Sequence, residues 1–359
     1  MMNGPVNGAP APVPVYADEM HRRPSWICTN RTNLLKAGYV CVFLGLAVWQ
    51  LVVLVSHRSK PHGPCYYSFV VAKRGRRDFS TVVEAVDAVP DNSPLTSCVH
   101  IRRGIYRENV VIGPTKVHLR LLGDGMGKSN IIFNGSSPTL RVMGSHFMAR
   151  DLTIENDSGP EKVHGSALDN WGANSILYRC SIVAYSATIF AQETFQFYRG
   201  CNIQGSKYFI CGAARALFQR CTIEATIVPP DEMAVITGQS NKHDGTGNGF
   251  VFHLCKLSTV GSTLSKTFLG GPLGAFAKTV VMQSSLDASI VGWLVNASTP
   301  RTVYFGEYDN SGPGASTRTN SSCVRHIDNE SVAKNFTVRV FLEGKTWLPR
   351  DVPYDLGIV

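Results

Sequence analysis

The chain has 359 residues, 44% apolar and 17% charged, a balance that excludes a disordered polymer and supplies an extensive core. Its formal charge of +9 favours acidic partners, but charge alone does not choose among nucleic acid, anionic lipid and acidic polysaccharide. The densest basic cluster is Lys73, Arg74, Arg76 and Arg77. It lacks the interleaved aromatics of nucleic-acid platforms, so it reads as a solvated loop and no nucleic-acid partner is expected.

Residues 1–36, rich in Pro, Gly, Asn and polar groups, are expected to form a flexible cytoplasmic tail. Residues 37–55 are a 19-residue apolar run interrupted by Gln50. At 1.5 Å per residue it covers about 28 Å, one bilayer core. A cleaved signal peptide is shorter, nearer the N-terminus and followed by a small-residue cleavage site. The run is therefore expected to be a transmembrane signal anchor. Arg22, Arg23, Arg31 and Lys36 precede it, which places the N-terminus in the cytoplasm. Six sequons follow, at Asn134, Asn156, Asn296, Asn320, Asn329 and Asn335, as do eight of the ten cysteines. Both features suit a glycosylated, oxidising lumenal or extracellular compartment. The expected location is a single-pass protein of the Golgi or cell surface, with secretion as the alternative.

After a linker, residues 56–68, the folded domain is expected over 69–359, starting with the strand Phe69–Ala72. Thr81 and Glu84 have capping-box spacing, Val82, Val83, Val86 and Val89 follow at helical spacing, and Pro90 ends the helix. The segment Gly123–Ser129 resembles a phosphate loop. Leu122 stands where its first glycine belongs and Ile131–Phe133 reads as a strand, so nucleotide binding is not expected. No cysteine pairing has structural-zinc spacing, and neither metal nor cofactor is expected.

Beyond the helix the chain repeats. Leu177-Tyr178-Arg179-Cys180-Ser181-Ile182 matches Phe218-Gln219-Arg220-Cys221-Thr222-Ile223, and Phe197 to Ile203 is the same unit with one residue inserted. Phe252–Leu257 and Val281–Leu286 extend the series. Cys180, Cys201 and Cys221 are spaced by 21 and 20 residues. Such a period without amphipathic helices predicts an all-β solenoid of stacked parallel strands. In-register coils put these cysteines in an internal stack or a disulfide, not at a catalytic thiol.

From Phe69 onward the chain resembles the plant pectin methylesterases. The motifs that carry the likeness are Gly104-Ile105-Tyr106-Arg107-Glu108, Leu122-Gly123-Asp124-Gly125, Gln196-Phe197-Tyr198-Arg199, Thr279–Ser284, Tyr304–Tyr308 and Ser311–Ala315, in order. The resemblance implies a right-handed parallel β-helix, pectin (homogalacturonan) as ligand, and the cell wall as a place of action. It also frames an absence. Ala184–Phe190 resembles the family's Gly-Tyr-Gln-Asp-Thr-Leu-Tyr, and Ser206–Gly212 its Val-Asp-Phe-Ile-Phe-Gly. The acid aspartate falls on Ala187 and the nucleophilic aspartate on Tyr208. The two glutamines fall on His164 and Ser186, and the arginine of Leu-Gly-Arg-Pro-Trp falls on Gly271, with Leu273 at the tryptophan.

Ester hydrolysis needs a nucleophile, an acid for the leaving alcohol and donors for the oxyanion. The resemblance therefore implies a member without catalytic residues, binding pectin or a pectin-modifying enzyme, with Phe190 and Phe209 as candidate sugar contacts. The alternative is an active pectinesterase using a noncanonical site around His164 and Ser186, for which no orienting carboxylate is evident. A monomer is expected. Only a short linker separates apolar run and domain, so the inhibitor-like region of many plant members is not expected.

Overall fold

The computed structural model describes residues 65–159, 165–192, 195–227, 233–260, 266–316 and 319–359. The expected tail and apolar run, and His164, lie outside the described residues, among which no helix is long and apolar enough to cross a membrane.

Among the described residues three parallel sheets of eleven, eight and seven strands form; the first coil carries the helix after its strand, and the central coils add one strand to each sheet in turn. The fold is the expected right-handed parallel β-helix. Leu177 stands over Tyr198, Tyr198 over Phe218, and Phe218 over Phe252, so the middle unit is shifted by one residue from the sequence match, in which Phe197 stood opposite Leu177. The rings of Tyr198, Phe218 and Phe252 stack at 4.5 and 4.7 Å inside the solenoid. Gly200 is therefore not an inserted residue but the counterpart of Arg179 and Arg220, and all three take the left-handed φ of the turn.

Cys180, Cys201, Cys221 and Cys255 form a buried column of free thiols. The thiols of Cys201, Cys221 and Cys255 each donate to a carbonyl one coil earlier, those of Leu177, Tyr198 and Phe218. Burial pushes the Cys180, Cys201 and Cys221 thiols far above their ordinary range. Of the two arrangements open from spacing, the structure takes the stack. Among the described residues the disulfide lies elsewhere, between Cys65 and Cys98, tying the chain ahead of the first strand to the second strand of the eleven-stranded sheet.

The first strand, Tyr67–Val71, begins two residues before the expected Phe69. The expected helix forms over Val82–Asp87 with both halves of the Thr81–Glu84 capping box. It buries Val82, Ala85 and Val86, whereas Val83 faces outward. Glu108 accepts from the Val82 and Val83 backbone N–H groups at 2.8 and 3.0 Å, filling two of the helix's orphan donors. Tyr106 is fully buried and its hydroxyl lies 2.9 Å from the Arg102 carbonyl. The Gly104–Glu108 motif is thus architectural.

The last ten residues run along the outer face of the eleven-stranded sheet, crossing coil after coil. Asp351 pairs with Arg120 at 3.2 Å. Asp355 receives Arg220 Nε and Nη2 at 2.7 and 2.9 Å. Gln219 exchanges two hydrogen bonds with the Asp355 backbone, and Gln283 two with Val359. Between these glutamines lies fully buried His253, with Nδ1 3.0 Å from Gln219 Nε2 and Nε2 3.1 Å from Gln283 Oε1. Since Gln219 Nε2 can only donate, His253 is neutral with its proton on Nε2. The tail, with Phe336–Trp347, covers Met148, Phe197, Leu217, Val251 and Met282 in a second apolar cluster.

The Arg220 hydrogen bonds hold the Asp355 carboxyl below its ordinary range, and burial holds the His253 imidazole below its own. In both cases the unfolded chain takes up its proton first as pH falls, so the stability present near neutrality is lost through the imidazole and then the carboxylate range. Thermal unfolding should therefore show Tm falling from pH 7 to pH 4. Asp355→Asn is expected to cost about 1–2 kcal/mol at neutral pH and to flatten the acid limb of that curve.

Candidate functional site

Along the outer face of the seven-stranded sheet the register aligns one residue from each coil. Val111 neighbours Arg141, Arg141 neighbours Asp169, and Asp169 neighbours Phe190. Phe190 is followed by Cys211, and Cys211 by Gly238. This row floors two recesses that share Phe190. One, of about 320 Å³, is lined by Ser137, Arg141, Ser166, Asp169 and Ala187. The other, of about 580 Å³, is lined by Gln192, Cys211, Asn241, Lys242, His243 and Leu273.

Ala187 and Tyr208 sit at one end of two adjacent strands, where Ser186 bridges to Lys207. Both have left-handed backbone, with φ of 49° and 46°. That conformation costs an L-residue about 1–2 kcal/mol, and outside glycine it suits Asp and Asn, whose short polar side chains bond locally. Neither alanine nor tyrosine has that advantage. The register slips between Lys207 and Ile210, a local irregularity that points Tyr208 away from the core and Phe209 into it.

Phe209 therefore corrects the expectation of a sugar contact. It is fully buried, packed beneath Gly205, where an added Cβ would lie 2.4 Å from the Phe209 Cβ. Phe190 is half-exposed on the groove floor. Tyr208 is half-buried, and burial pushes its hydroxyl above the ordinary phenol range, away from any nucleophilic phenolate. An added Cβ on Gly238 would meet Leu273 at 2.6 Å and the Tyr208 ring at 2.9 Å. One on Gly271 would lie 3.2 Å from the Tyr208 hydroxyl. Tyr208, Gly238, Gly271 and Leu273 are packed together, and the ring occupies the space beside Gly271. Ser186, Ala187, Tyr208 and Gly271 thus form one strip, with Phe190 next to it.

Sequence reasoning missed the carboxylate in this groove. Asp169 is 6% exposed, with Oδ2 at 2.8 Å from Arg141 Nε and Oδ1 at 2.8 Å from Trp171 Nε1. Both oxygens are engaged, so the carboxylate holds Arg141 on the groove floor and ties down the indole of Trp171, which follows it on the chain. Cys211, two strands further along the same row, is no nucleophile. Burial pushes its thiol up to about 12, with the Asp169 charge adding to the effect. Among the described residues no cluster of His, Cys, Asp and Glu fits a metal ion.

Of the six sequon asparagines, Asn134, Asn296, Asn320, Asn329 and Asn335 are exposed. Asn156 is not. It is 3% exposed, and its Nδ2 donates to the carbonyls of Gly135, Ser137 and Ser166. A glycan on that nitrogen is incompatible with this packing.

Comparison with known proteins agrees with the geometry. Residues 68–345 match the family described as Pectinesterase. The chain belongs to the pectinesterase family. It is 35% identical over 349 residues to a pectinesterase/pectinesterase inhibitor of Prunus persica, an alignment covering 91% of this chain and 62% of that protein. A probable pectinesterase/pectinesterase inhibitor of Arabidopsis thaliana is 36% identical over 300 residues, covering 78% and 57%. The chain thus spans about three fifths of the length of these curated relatives. Among solved structures it is similar to the pectin methylesterase from carrot, with a TM-score of 0.79 and 31% identity over 83% of this chain and all of that one.

The packing of Tyr208 against Gly271 has a measurable consequence. Gly271→Arg alone should destabilise the fold by about 1–3 kcal/mol through overpacking. Tyr208→Asp should relieve most of that cost in the double variant. Urea unfolding of the four proteins is expected to give a favourable coupling energy of about 0.5–3 kcal/mol; strictly additive effects would mean that the two sites do not share this space. In the same assay Ala187→Gly should stabilise by about 0.5–1 kcal/mol, the left-handed strain less the entropy of glycine.

Proposed function

We propose that this chain is a non-catalytic pectinesterase-family protein that binds pectin in the groove of its seven-stranded sheet. The observation that carries the reading is the pair of left-handed positions, 187 and 208, at the end of that groove. They hold a methyl group and a half-buried phenol where ester hydrolysis by this family's route calls for carboxylates. Without a nucleophile no covalent intermediate forms, and without an acid the alcohol has no proton to leave with. General acid catalysis alone is worth about 10²–10⁴ in rate, and one oxyanion donor about 10²–10³. What remains suits recognition of a linear sugar polymer. Phe190 and Trp171 offer aromatic faces, and Arg141, Asn241, Lys242 and His243 offer donors.

The wider setting belongs to the same proposal. The chain is a monomer held by residues 37–55 in the secretory pathway or at the cell surface, its domain facing pectin or a pectin-modifying enzyme there.

Methanol release from highly methyl-esterified pectin tests the central point. The natural chain should release no more than a protein-free blank between pH 5 and pH 9, while retaining its thermal transition. An Ala187→Asp, Tyr208→Asp, Gly271→Arg variant run beside it reports whether the scaffold can still host the chemistry. Release by the natural chain well above the blank would overturn the proposal and direct attention to Ser186 and His164.

A further inference from the structure

The basic cluster that reads as a solvated loop in sequence is one third of a larger surface. The segments that follow the first three strands of the eleven-stranded sheet stack in register, because Val71 pairs with Ile101 and Ile101 with Gly123; the first leads to the helix Val82–Asp87 and the next two to the eight-stranded sheet. The first turn carries Lys73, Arg74, Arg76 and Arg77, the second Arg102 and Arg103, and the third Lys128. All seven side chains are exposed. Contacts between the turns are direct. The Gly104 N–H donates to the Lys128 carbonyl at 2.8 Å, and the Lys73 ammonium lies 4.7 Å over the Tyr106 ring.

Only Asp78 and Asp124 supply opposing charge within these turns, and both are engaged locally. Asp78 accepts from the Val70 N–H at 2.8 Å. Asp124 accepts from the Arg103 N–H at 2.8 Å and lies 3.4 Å from Arg102 Nη1. Neighbouring coils are about 4.8 Å apart, so three turns span about 10 Å, within one Debye length at moderate salt. The charges therefore add. This corner leaves the edge of the eleven-stranded sheet towards the helix and the eight-stranded sheet, neither of which bears the groove, and is separate from the groove.

We propose that this three-turn corner is a second binding surface, which takes the free carboxylates of an acidic polysaccharide, a polyuronate chain laid across the stacked turns. Flexible Lys and Arg heads on consecutive coils match a polymer with one anion per repeat better than a single compact anion, which would leave most of them unused. Choosing a polyuronate rests on the pectin reading above. The division of labour follows from charge: the groove floor, with Asp169 neutralising Arg141, takes esterified polymer, and the corner takes de-esterified polymer.

The test uses the purified full-length chain and four probes: polygalacturonate, fully methyl-esterified pectin, phosphatidylserine vesicles and a duplex DNA fragment, each at low and physiological salt. The variant K73Q/R74Q/R76Q/R77Q, and separately R103Q/K128Q on the neighbouring turns, should weaken polygalacturonate binding about tenfold or more at low salt and reduce its salt dependence. Both should leave binding of esterified pectin unchanged. Phe190→Ala should do the reverse. If Phe190→Ala changes nothing while the basic variants still lose polygalacturonate, the groove reading fails and the corner stands. Unchanged polygalacturonate affinity in both basic variants, with normal melting curves, would overturn the proposal. So would tighter, patch-dependent binding of the vesicles or the DNA than of the polyuronate.

Discussion

Parallel backbone hydrogen bonds hold each coil of this solenoid over the next, and the resulting register decides where every side chain goes. One residue per coil falls into each column, at a spacing of about 4.8 Å. The core is the sum of such columns: the stacked rings of Tyr198, Phe218 and Phe252, and the thiols from Cys180 to Cys255. The groove floor is another column, the basic corner a set of adjacent turns, and the C-terminal segment crosses from coil to coil. A fold built this way keeps its backbone when single columns change. The surface chemistry can be rewritten without cost to the core.

That tolerance explains the state of the groove. The backbone at Ala187 and Tyr208 still adopts the left-handed conformation that favours aspartate, although neither side chain benefits from it. Around Tyr208 the packing has closed. Its ring lies against Gly238 and Gly271, where a side chain larger than hydrogen meets it at van der Waals distance or nearer. Under the proposed reading, loss of charge and gain of an aromatic ring are two aspects of one rearrangement.

The fold was largely legible in the chain. The period of the Leu177, Tyr198 and Phe218 units and the Thr81–Glu84 box are local signals, and the structure realises both. The site was legible only where local motifs carried it. Asp169 and Trp171 are sequence neighbours, but Arg141 comes from the preceding coil and only the register brings it to Asp169. Phe209 came from the motif likeness, which carries no facing, and the slipped register at Tyr208 turns it into the core. Asn156 has the spacing of a glycan acceptor, but its burial depends on carbonyls from two other segments. The basic corner was one third visible, since Arg102, Arg103 and Lys128 join Lys73 only through stacked turns.

Recognition without turnover is the core of the account, and one measurement addresses both halves. The natural chain would be incubated at length with a methyl-esterified oligogalacturonate at a concentration where calorimetry detects binding, and the sugar then recovered for mass spectrometry. The account predicts a bound, saturable ligand that returns with every methyl ester intact. Recovery of demethylated sugar, or no binding by a folded chain, would contradict it.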